Sequence, residues 1–438
     1  MNLGIISLGC AKNLVDTEMF LGLAKEFNLT IVNNFKQADI LVVNTCGFIE
    51  PAKQEAIDTI LELVEYKKQG KIIIAMGCLV ERYLNDLKVE IPEVDYYIPI
   101  KDYPNMHKIF EEITKVKSTS TFNCAKRVIS TSPNHAYLRI SEGCNNRCHY
   151  CAIPLIRGSF RSRPFDDIIM EANYLSSKGI TEINVISQDT TRYGSDINSS
   201  LAELLDALAN LNKFKLIRVL YLYPDEITQE LLDVMKKHDS IANYFDIPIQ
   251  HASNKMLKAM NRRGSKELIK KHIQYIRKFI PEAIIRTTLI TGFPTEEESD
   301  FTELLDLVKE TKFERLGCFT FSNEEDTASY DMYPKVHKST AKRRYNTIMK
   351  EQEKISLEFN KSLIGKQYNC IIEDYDFEKF AYVGRNYMYA PDDVDGCIYI
   401  YSPIELEIGS IVLTEIIDAS AYDLEAKLIN IKKDGTLY

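Results

Sequence analysis

Three cysteines fall within one short segment in the middle of the chain, CNNRCHYC, as Cys144, Cys148 and Cys151. Thiolates at this spacing on a tight loop can wrap around one compact iron–sulfur cluster. A cubane cluster needs four ligands and this motif supplies three, so one iron would remain open to a small molecule. A zinc knuckle or unrelated buried thiols are the alternatives, but no fourth cysteine or suitably spaced histidine follows. The motif therefore predicts a cluster with one open iron.

A second set of cysteines is dispersed along the N-terminal part of the chain, at Cys10, Cys46 and Cys78. Each lies just beyond one of the first three apolar runs, and each has a glycine beside it, at positions 9, 47 and 77. Because parallel strands present their carboxyl ends at one edge of a sheet, we expect these thiols to converge there. The glycines would let the backbone approach a bulky cluster. Three unrelated core cysteines are the alternative.

The other cysteines predict no site. Their surroundings resemble a linker or strands, and free cysteine is often a small buried hydrophobe. They are Cys124, Cys318, Cys370 and Cys397. His251, at the end of a predicted strand, fits a structural role as well as a position facing an active site.

The elements that must position these residues divide the chain into an α/β multidomain arrangement. Apolar runs at Leu3–Leu8, Ile40–Val43 and Ile72–Met76 alternate with helical spacing, which predicts a parallel α/β domain over residues 1–120. The polar segment 121–135 predicts a linker. Six further strands separated by helical stretches predict a wholly or partly closed β/α barrel over 136–363, with its working face at the strands' carboxyl ends. Those strands are Tyr137–Ile140, Ile183–Ile186, Ile217–Leu222, Tyr244–Ile249, Ile284–Ile290 and Leu316–Phe321.

After Gly365 the pattern changes to short strands rich in Tyr, Ile and Val, which predicts a small antiparallel all-β barrel or sandwich over 364–438. This segment also carries the whole net charge of −9, because residues 367–438 hold fourteen Asp and Glu against five Lys and Arg. Ten cysteines in 438 residues favour metal or redox chemistry in a reducing compartment over a disulfide scaffold. The N-terminus has no signal-peptide pattern and no apolar run is long enough to span a membrane, so we expect a cytoplasmic protein.

The CNNRCHYC motif resembles that of the radical S-adenosylmethionine (SAM) superfamily, in which SAM occupies the open iron of a [4Fe–4S] cluster. The turn Thr291–Pro294 is similar to the superfamily's glycine-containing SAM contact, and Ser187–Thr190 stands where the methionine end of SAM is usually held. Ordinary strand-end turns would explain both segments equally simply. The SAM contacts that the resemblance implies are Tyr150, Gln188, Asp189, Thr190, Gly292 and Pro294.

With both triads present, the chain resembles the methylthiotransferase family over nearly its whole length. That family joins an N-terminal domain with an auxiliary [4Fe–4S] cluster, a radical SAM barrel and a C-terminal TRAM domain. Four segments are similar to patterns of its RimO-like branch, which modifies an aspartate of small-subunit ribosomal protein twelve. They are SLGCAKNLVDTE around Cys10, VISQDTTRYG around Gln188, FSNEEDTAS from Phe321, and VGRNYMYAPDDVDG from Val383. Ala11, Asp326, Tyr389 and Ala426 depart from the usual residues, but none is an expected cluster ligand.

The resemblance implies two [4Fe–4S] clusters, held by Cys10, Cys46 and Cys78 and by Cys144, Cys148 and Cys151, together with SAM. One SAM would methylate a sulfur associated with the auxiliary cluster, and a second would yield the radical that removes a hydrogen from the aspartate β-carbon. We expect a basic ribosomal protein as substrate, an external electron donor, and no direct nucleic-acid binding or membrane association. Candidate contacts for the substrate are the C-terminal acids at 373, 374, 376, 392, 393 and 395. The competing functions are a tRNA (adenosine) methylthiotransferase and, more remotely, a non-catalytic iron–sulfur protein.

Overall fold

The computed structural model describes residues 1–118, 122–131, 134–392 and 394–432. Strands and helices are numbered along the chain. The chain forms two compact units, and each is built from segments that are distant in sequence. The first contains Met1–Ser130, Ser141–Arg163 and Ser322–Tyr330, and the second contains Thr131–Ile140, Pro164–Phe321 and Asp331–Tyr438.

The first unit is built on a five-stranded parallel sheet in the order β2-β1-β3-β4-β5. The strands are β1 (Asn2–Ser7), β2 (Thr30–Ile31), β3 (Ile40–Thr45), β4 (Ile72–Gly77) and β5 (Tyr96–Ile98). The helices that connect and follow them are α1 (Ala11–Glu26), α2 (Glu50–Val64), α3 (Cys78–Glu90) and α4 (Met106–Thr114). This arrangement confirms the parallel α/β domain predicted from the apolar runs.

Helices cover this sheet on both faces, so its central strands are apolar at successive positions. All six residues of β3 are buried. Val42 and Ile74 belong to the core on one face, whereas Leu41, Val43 and Ile73 belong to the core on the other. Because both faces are packed, the polar chemistry of this domain is confined to the strand ends and loops.

The described part of the predicted linker is packed against α1. Arg127 is fully buried and pairs with Glu18 at 2.8 Å. The amide of Val128 donates to the Glu18 carbonyl at 3.0 Å. The polar composition of this segment thus reflects a buried ion pair as well as solvent-exposed residues. Residues 121, 132 and 133 of the predicted linker lie outside the described residues.

The second unit begins with the β/α barrel predicted from the sequence. Its strands form two three-stranded parallel sheets, in the orders β10-β9-β6 and β11-β12-β13, and a bridge between Ile217 and Ile241 lies between them. The strands are β6 (His135–Arg139), β9 (Glu182–Ile186), β10 (Leu216–Val219), β11 (Tyr244–Asp246), β12 (Ile284–Thr291) and β13 (Arg315–Thr320). The helices are α6 (Phe165–Ser177), α7 (Leu201–Asn210), α8 (Gln229–Lys237), α9 (Asn254–Ala259), α10 (Lys266–Phe279), α11 (Glu298–Thr311) and α12 (Lys338–Lys361). The barrel is therefore partly closed.

The last strands of the second unit form a closed barrel in the order β14-β15-β16-β18-β17. They are β14 (Gln367–Asp376), β15 (Ala381–Arg385), β16 (Ile398–Tyr401), β17 (Ile411–Ala419) and β18 (Leu424–Lys432). The neighbouring strands are antiparallel except β16 and β18, which pair in parallel. The small β-barrel is confirmed, with one parallel pair that the sequence pattern did not indicate.

Buried charges join this small barrel to the β/α barrel within the second unit. Glu182 on β9 accepts from Arg385 on β15 at 2.8 Å, and Arg218 on β10 lies 3.5 Å from the same carboxylate. Arg385 also pairs with Glu373 at 2.6 Å. Burial acts to raise the pKa of Glu182, but Arg385 and Arg218 outweigh it and lower the pKa to about 2.

Three of the acids expected to contact a substrate belong to this same junction. Asp395 is buried and accepts from Tyr244 and from the amide of Ala390. Asp392 accepts from the Tyr137 hydroxyl, and Glu373 pairs with Arg385. Asp395 is therefore closed to a substrate and Glu373 is engaged by Arg385, which corrects the expectation for these two acids. Asp392 keeps 49% of its side chain exposed, so its contact with a substrate stays a prediction; Asp393 lies outside the described residues.

Among the described residues, no helix combines the length and apolarity needed to cross a membrane.

Replacing Glu182 tests the junction. Glu182→Gln removes the buried carboxylate that Arg218 and Arg385 share and leaves Arg385 with Glu373 alone, so we expect the free energy of unfolding to fall by about 3–5 kcal/mol at neutral pH. Because the pKa of Glu182 is lowered from 4.5 to about 2 in the folded chain, this contribution is present above about pH 4.5. It is lost as the pH falls towards 2, so the difference between wild type and variant should narrow in acid. Denaturant titration at several pH values measures both effects.

The matched control is Glu358→Gln, because Glu358 pairs with Lys312 on the exposed surface. Loss of an exposed pair should change the free energy of unfolding by about 1 kcal/mol or less. Equal losses in the two variants would contradict a buried ionic junction.

Candidate functional site

The three N-terminal cysteines lie together at the carboxyl edge of the first sheet. Cys10 caps α1, Cys46 directly follows β3, and Cys78 is the first residue of α3. The Cys10 and Cys46 thiols are near enough to Cys78 to act on its pKa electrostatically. The first cysteine triad, Cys10, Cys46 and Cys78, is therefore brought together by strands that end at one edge, as the spacing predicted.

Two of the glycines beside these cysteines, Gly9 and Gly77, are explained by the close approach of the strand ends. Gly9 has a φ of +89°, and a Cβ built there would lie 2.8 Å from the Cys46 Cβ. Gly77 has a φ of +104°, and its Cβ would lie 2.6 Å from the Thr45 carbonyl. A side chain at either position would force the loops apart and separate the thiols.

Asn13 is the residue that ties the three loops to one another. Its Nδ2 donates to the Leu8 carbonyl at 3.1 Å and to the Thr45 carbonyl at 2.9 Å. Its Oδ1 accepts from the Cys78 thiol at 3.2 Å and from Arg157 at 2.6 Å. The sequence analysis did not single out Asn13, although an asparagine in the first turn of a helix, three residues after a candidate ligand, is a usable signal.

Arg157 places a buried positive charge beside the first triad. Its Nη2 lies 3.5 Å from the Cys78 sulfur, and its Nη1 pairs with Asp16 at 2.8 Å. Nη1 also lies 3.4 Å from Glu142, two residues before Cys144. Arg157 was missed by the sequence analysis because its partners are distant in the chain.

Two opposing effects act on the pKa values of Cys46 and Cys78 in the first triad. Burial raises the pKa of Cys46, and it raises the pKa of Cys78 to about 12. Arg157 and the backbone N–H groups around Cys46 oppose this effect. Cys78 also stands at the N-terminus of α3, where negative charge is favoured. A bound cationic centre would tip this balance towards thiolates.

The candidate donors of the first triad are three thiols at three neighbouring strand ends. Among the described residues, no three His, Cys, Asp or Glu side chains are placed to hold one metal ion. Thiolates are the usual ligands of iron–sulfur clusters, so the chemistry of this donor set fits such a cluster.

The second cysteine triad, Cys144, Cys148 and Cys151, lies on a loop of the same unit, between β7 (Ser141–Glu142) and α5 (Ile153–Arg157). All three side chains are partly exposed. The Cys144 amide donates to the Gly158 carbonyl at 3.1 Å, and the Cys151 amide donates to the Cys148 carbonyl at 3.0 Å. These bonds fold the loop back on itself. Tyr150 lies in the turn between the second and third cysteines.

Helix α5 connects the two triads physically. Cys78 of the first triad packs against Ala152 and Ile156, which follow directly after Cys151. Arg157, at the end of the same helix, reaches Cys78 and Asn13. The short segment after the CNNRCHYC motif therefore forms part of the wall around the first triad.

The segment Ser322–Tyr330, within the FSNEEDTAS pattern, also belongs to the first unit. Glu324 is buried and pairs with Lys53 at 3.0 Å and with Arg82 at 3.1 Å. Arg82 donates in turn to the Gly47 carbonyl, next to Cys46. The Ser329 amide donates to the His149 carbonyl on the second cysteine loop. This segment thus supports both cysteine-bearing loops.

The expected SAM contacts other than Tyr150 lie in the second unit and are described within it. Gln188, Asp189 and Thr190 follow β9 at its carboxyl end. The Asp189 carboxylate accepts from the Thr191 hydroxyl at 2.8 Å. The Thr190 hydroxyl donates to the Leu220 carbonyl and is fully buried. Thr190 therefore holds the ends of neighbouring strands together.

Gly292 and Pro294 follow β12, in a turn held by Glu296. The Glu296 carboxylate accepts from the amides of Gly292 and Phe293 and pairs with Arg344 at 3.0 Å. Burial raises the pKa of Glu296 to about 6, against the opposing effect of Arg344 and the two amides. The sequence analysis did not single out Glu296 or Arg344.

His251 is completely buried in the second unit, and burial lowers its pKa to about 3. Its Nδ1 accepts from the Ser253 amide at 3.1 Å. The Ser253 hydroxyl donates to Asp300, the second acid of the first turn of α11. His251 is therefore a neutral residue that supports the Ser253 turn, which favours the structural role.

Family models match three parts of this chain. The Radical SAM superfamily matches residues 138–308, Uncharacterized protein family UPF0004 matches residues 2–99, and the TRAM domain matches residues 364–429. The second cysteine triad falls within the first of these matches, and the first triad falls within the second.

Several curated relatives match the chain from end to end. A protein of Clostridioides difficile named ribosomal protein uS12 methylthiotransferase RimO is 46% identical, over 97% of this chain and 98% of its own. Proteins of the same name from Caldicellulosiruptor saccharolyticus and Aquifex aeolicus are 47% and 42% identical, over 98% of this chain and 100% and 97% of theirs.

Solved structures resemble the chain in fold. The radical SAM methyltransferase TsrM from Kitasatospora setae matches with a TM-score of 0.55 at 10% identity, over 83% of this chain and 78% of its own. The cobalamin-dependent SAM radical enzyme OxsB matches with a TM-score of 0.52 at 13% identity, over 81% of this chain and 56% of its own.

If an iron–sulfur cluster binds at the first triad, its redox behaviour tests the role of Arg157. A nearby positive charge favours the reduced, more negative state of a cluster. We expect Arg157→Gln to lower the midpoint potential, on the order of 50–100 mV. The measurement is a redox titration followed by electron paramagnetic resonance, with Cys144, Cys148 and Cys151 replaced by alanine so that only the first triad reports.

Arg157→Lys keeps the charge and should shift the potential less. Arg343→Gln removes an exposed arginine of the second unit and should leave the potential unchanged. Equal potentials in wild type and Arg157→Gln, with iron retained in both, would contradict an electrostatic role for Arg157.

Proposed function

This chain belongs to the family of ribosomal protein uS12 methylthiotransferases, and we propose that it attaches a methylthio group to the β-carbon of an aspartate of ribosomal protein uS12. The observation that carries the proposal is the presence of both cysteine triads in one compact unit of a chain that matches these relatives over nearly their whole length. A cluster that activates SAM and a second cluster near it are what insertion of sulfur at an unreactive carbon requires.

We assign one [4Fe–4S] cluster to Cys10, Cys46 and Cys78 and a second to Cys144, Cys148 and Cys151. The three-thiol sets, the glycines at the loop ends and the cation beside Cys78 support this assignment. When bound, the clusters and SAM supply the radical that breaks the C–H bond and the methylthio group that replaces the hydrogen. An external electron donor must reduce the cluster that activates SAM.

The chain's own residues hold these groups in place. Asn13 and Arg157 fix the loops of the first triad, and α5 joins them to the second. In the second unit, Glu296 fixes the turn of Gly292 and Pro294, which we propose as SAM contacts. The other proposed contacts are Tyr150, Gln188, Asp189 and Thr190.

The charge of the C-terminal barrel favours a protein substrate over tRNA. Proteins that bind nucleic acid present Lys and Arg to the phosphates. Residues 367–438 carry fourteen acids against five basic residues, which would repel tRNA and attract a basic ribosomal protein. We therefore propose that the chain acts on uS12 without binding tRNA directly.

Replacement of single cysteines should separate the roles of the two triads. Cys148→Ala should abolish reductive cleavage of SAM to 5′-deoxyadenosine, because the open iron would be lost. Cys46→Ala should keep this cleavage but stop methylthio transfer. Chromatography of 5′-deoxyadenosine and mass spectrometry of the substrate measure the two outcomes.

Iron and sulfide analysis is the control for these variants. Wild type should bind about eight iron atoms per chain, and the alanine variant of Cys144, Cys148 and Cys151 should keep about half. A methylthiolated product from the Cys46→Ala chain would remove Cys46 from the proposed ligand set.

The substrate is tested with purified uS12 and tRNA. We expect the reconstituted chain, with SAM and a reductant, to replace one hydrogen of a uS12 aspartate by a methylthio group. Tandem mass spectrometry locates the modified residue, and nucleoside analysis of tRNA treated in parallel should show no methylthioadenosine. Modification of tRNA with unmodified uS12 would move the function to the tRNA branch.

A further inference from the structure

The C-terminal barrel carries an exposed aromatic groove that the chemistry of the clusters does not explain. It has a volume of about 520 Å³ and lies between the β14–β15 hairpin and the loop at 402–408. Phe377 and Phe380 at the hairpin tip are 79% and 76% exposed. Ile404 and Ile408, on the opposite side, are also exposed. Aromatic and aliphatic side chains gathered on an otherwise acidic surface are typical of a binding site.

Hydrogen bonds and ring contacts order the hairpin side of the groove. The Asp376 carboxylate accepts from the amides of Glu378 and Lys379 at 2.8 and 3.0 Å, which fixes the hairpin turn. Tyr375 packs edge-on against Phe377 and against Tyr382, with ring centres 5.0 Å apart in each pair.

The loop on the other side is fixed as well. The Leu406 amide donates to the Tyr382 hydroxyl at 2.9 Å, and the Ser402 hydroxyl donates to the Ile404 carbonyl at 2.7 Å. Since aromatic side chains held in place lose little entropy on binding, such a groove can anchor an apolar side chain tightly.

The charges around the groove select the partner. Asp374, Glu378, Glu405 and Glu407 are exposed on the two segments that form it. Lys379, on the same hairpin, has its Nζ 3.3 Å from the centre of the Tyr399 ring. These acids would repel nucleic-acid phosphates and attract lysines and arginines on either side of an apolar anchor.

We propose that this groove, lined by Tyr375, Phe377, Phe380, Tyr382, Ile404 and Ile408, docks a basic segment of uS12 by receiving one of its apolar side chains. The inference rests on the proposed function, since uS12 is the basic protein on which that function acts. Unlike Asp395, which is buried, the lining of this groove can be reached by a partner.

The test uses the full-length reconstituted chain with Phe377→Ala and Phe380→Ala combined. Both side chains are exposed, so the barrel should keep its thermal stability. Loss of two aromatic anchors should raise the KM for uS12 at least tenfold, with kcat changed less than about twofold. Reductive cleavage of SAM without uS12 should be unchanged. The matched control is Ile417→Ala, an exposed apolar residue of β17 outside the groove.

Direct binding separates this inference from the proposed function. Binding of labelled uS12 and of tRNA to wild type and variant is followed across a salt series. Weaker uS12 binding by the variant, most marked at low salt, supports the groove. If wild type modifies uS12 and the variant has the same KM and affinity, the groove inference fails and the proposed function stands.

Other occupants of the groove have distinct outcomes. A loss of tRNA binding in the variant, or of self-association seen by analytical ultracentrifugation, with unchanged uS12 binding, would overturn the inference. If wild type fails to modify uS12, the proposed function fails, and the binding comparison still decides whether the groove recognises uS12.

Discussion

One guanidinium, that of Arg157, is shared by the elements that carry both cysteine triads. It lies 3.5 Å from the Cys78 sulfur, donates to Asn13, and pairs with Asp16. A buried arginine without acceptors would cost several kcal/mol, so Asp16, Asn13 and the nearby Glu142 are required by its presence. Since Arg157 ends the helix that follows Cys151, this charge network fixes the second cysteine loop against the first. The segments that carry the two triads are therefore linked by one charge network.

The sequence was sufficient to predict where the first triad forms. Parallel strands have one direction, so residues placed just beyond three strands must meet at one edge, and Cys10, Cys46 and Cys78 do so. The same reasoning could not find Asn13 or Arg157. Their roles come from contacts between residues that are far apart in the sequence. Asn13 and Cys78 are 65 residues apart, and Asn13 and Arg157 are 144 residues apart, so no local sequence pattern reveals these contacts. Sequence patterns predict which residues share a sheet edge or a helix face, whereas the hydrogen-bond partners of polar side chains depend on the tertiary structure.

The C-terminal barrel shows the same limit in its charges. The count of acids gave the net charge of the domain correctly, but it could not show in which direction each acidic side chain points. Glu373, Asp392 and Asp395 satisfy Arg385, Tyr137 and Tyr244 inside the second unit. Tyr137 precedes Asp392 by 255 residues, and Tyr244 precedes Asp395 by 151 residues. The VGRNYMYAPDDVDG segment is therefore explained largely as a junction between the two barrels of the second unit.

Gly292 illustrates how one residue can satisfy two requirements. The sequence analysis compared its turn, Thr291–Pro294, with a glycine-containing SAM contact. In the structure, a Cβ at Gly292 would lie 2.3 Å from the Ala341 Cβ on α12, and its φ is +82°. Helix packing and backbone conformation therefore already require glycine here. The amide of Gly292 is taken by Glu296, so a cofactor at this turn would have to use the remaining backbone and the Pro294 ring. Arg344 of α12 pairs with Glu296, which in turn fixes the shape of the turn. The same helix therefore both excludes a side chain at Gly292 and stabilises the turn that contains it.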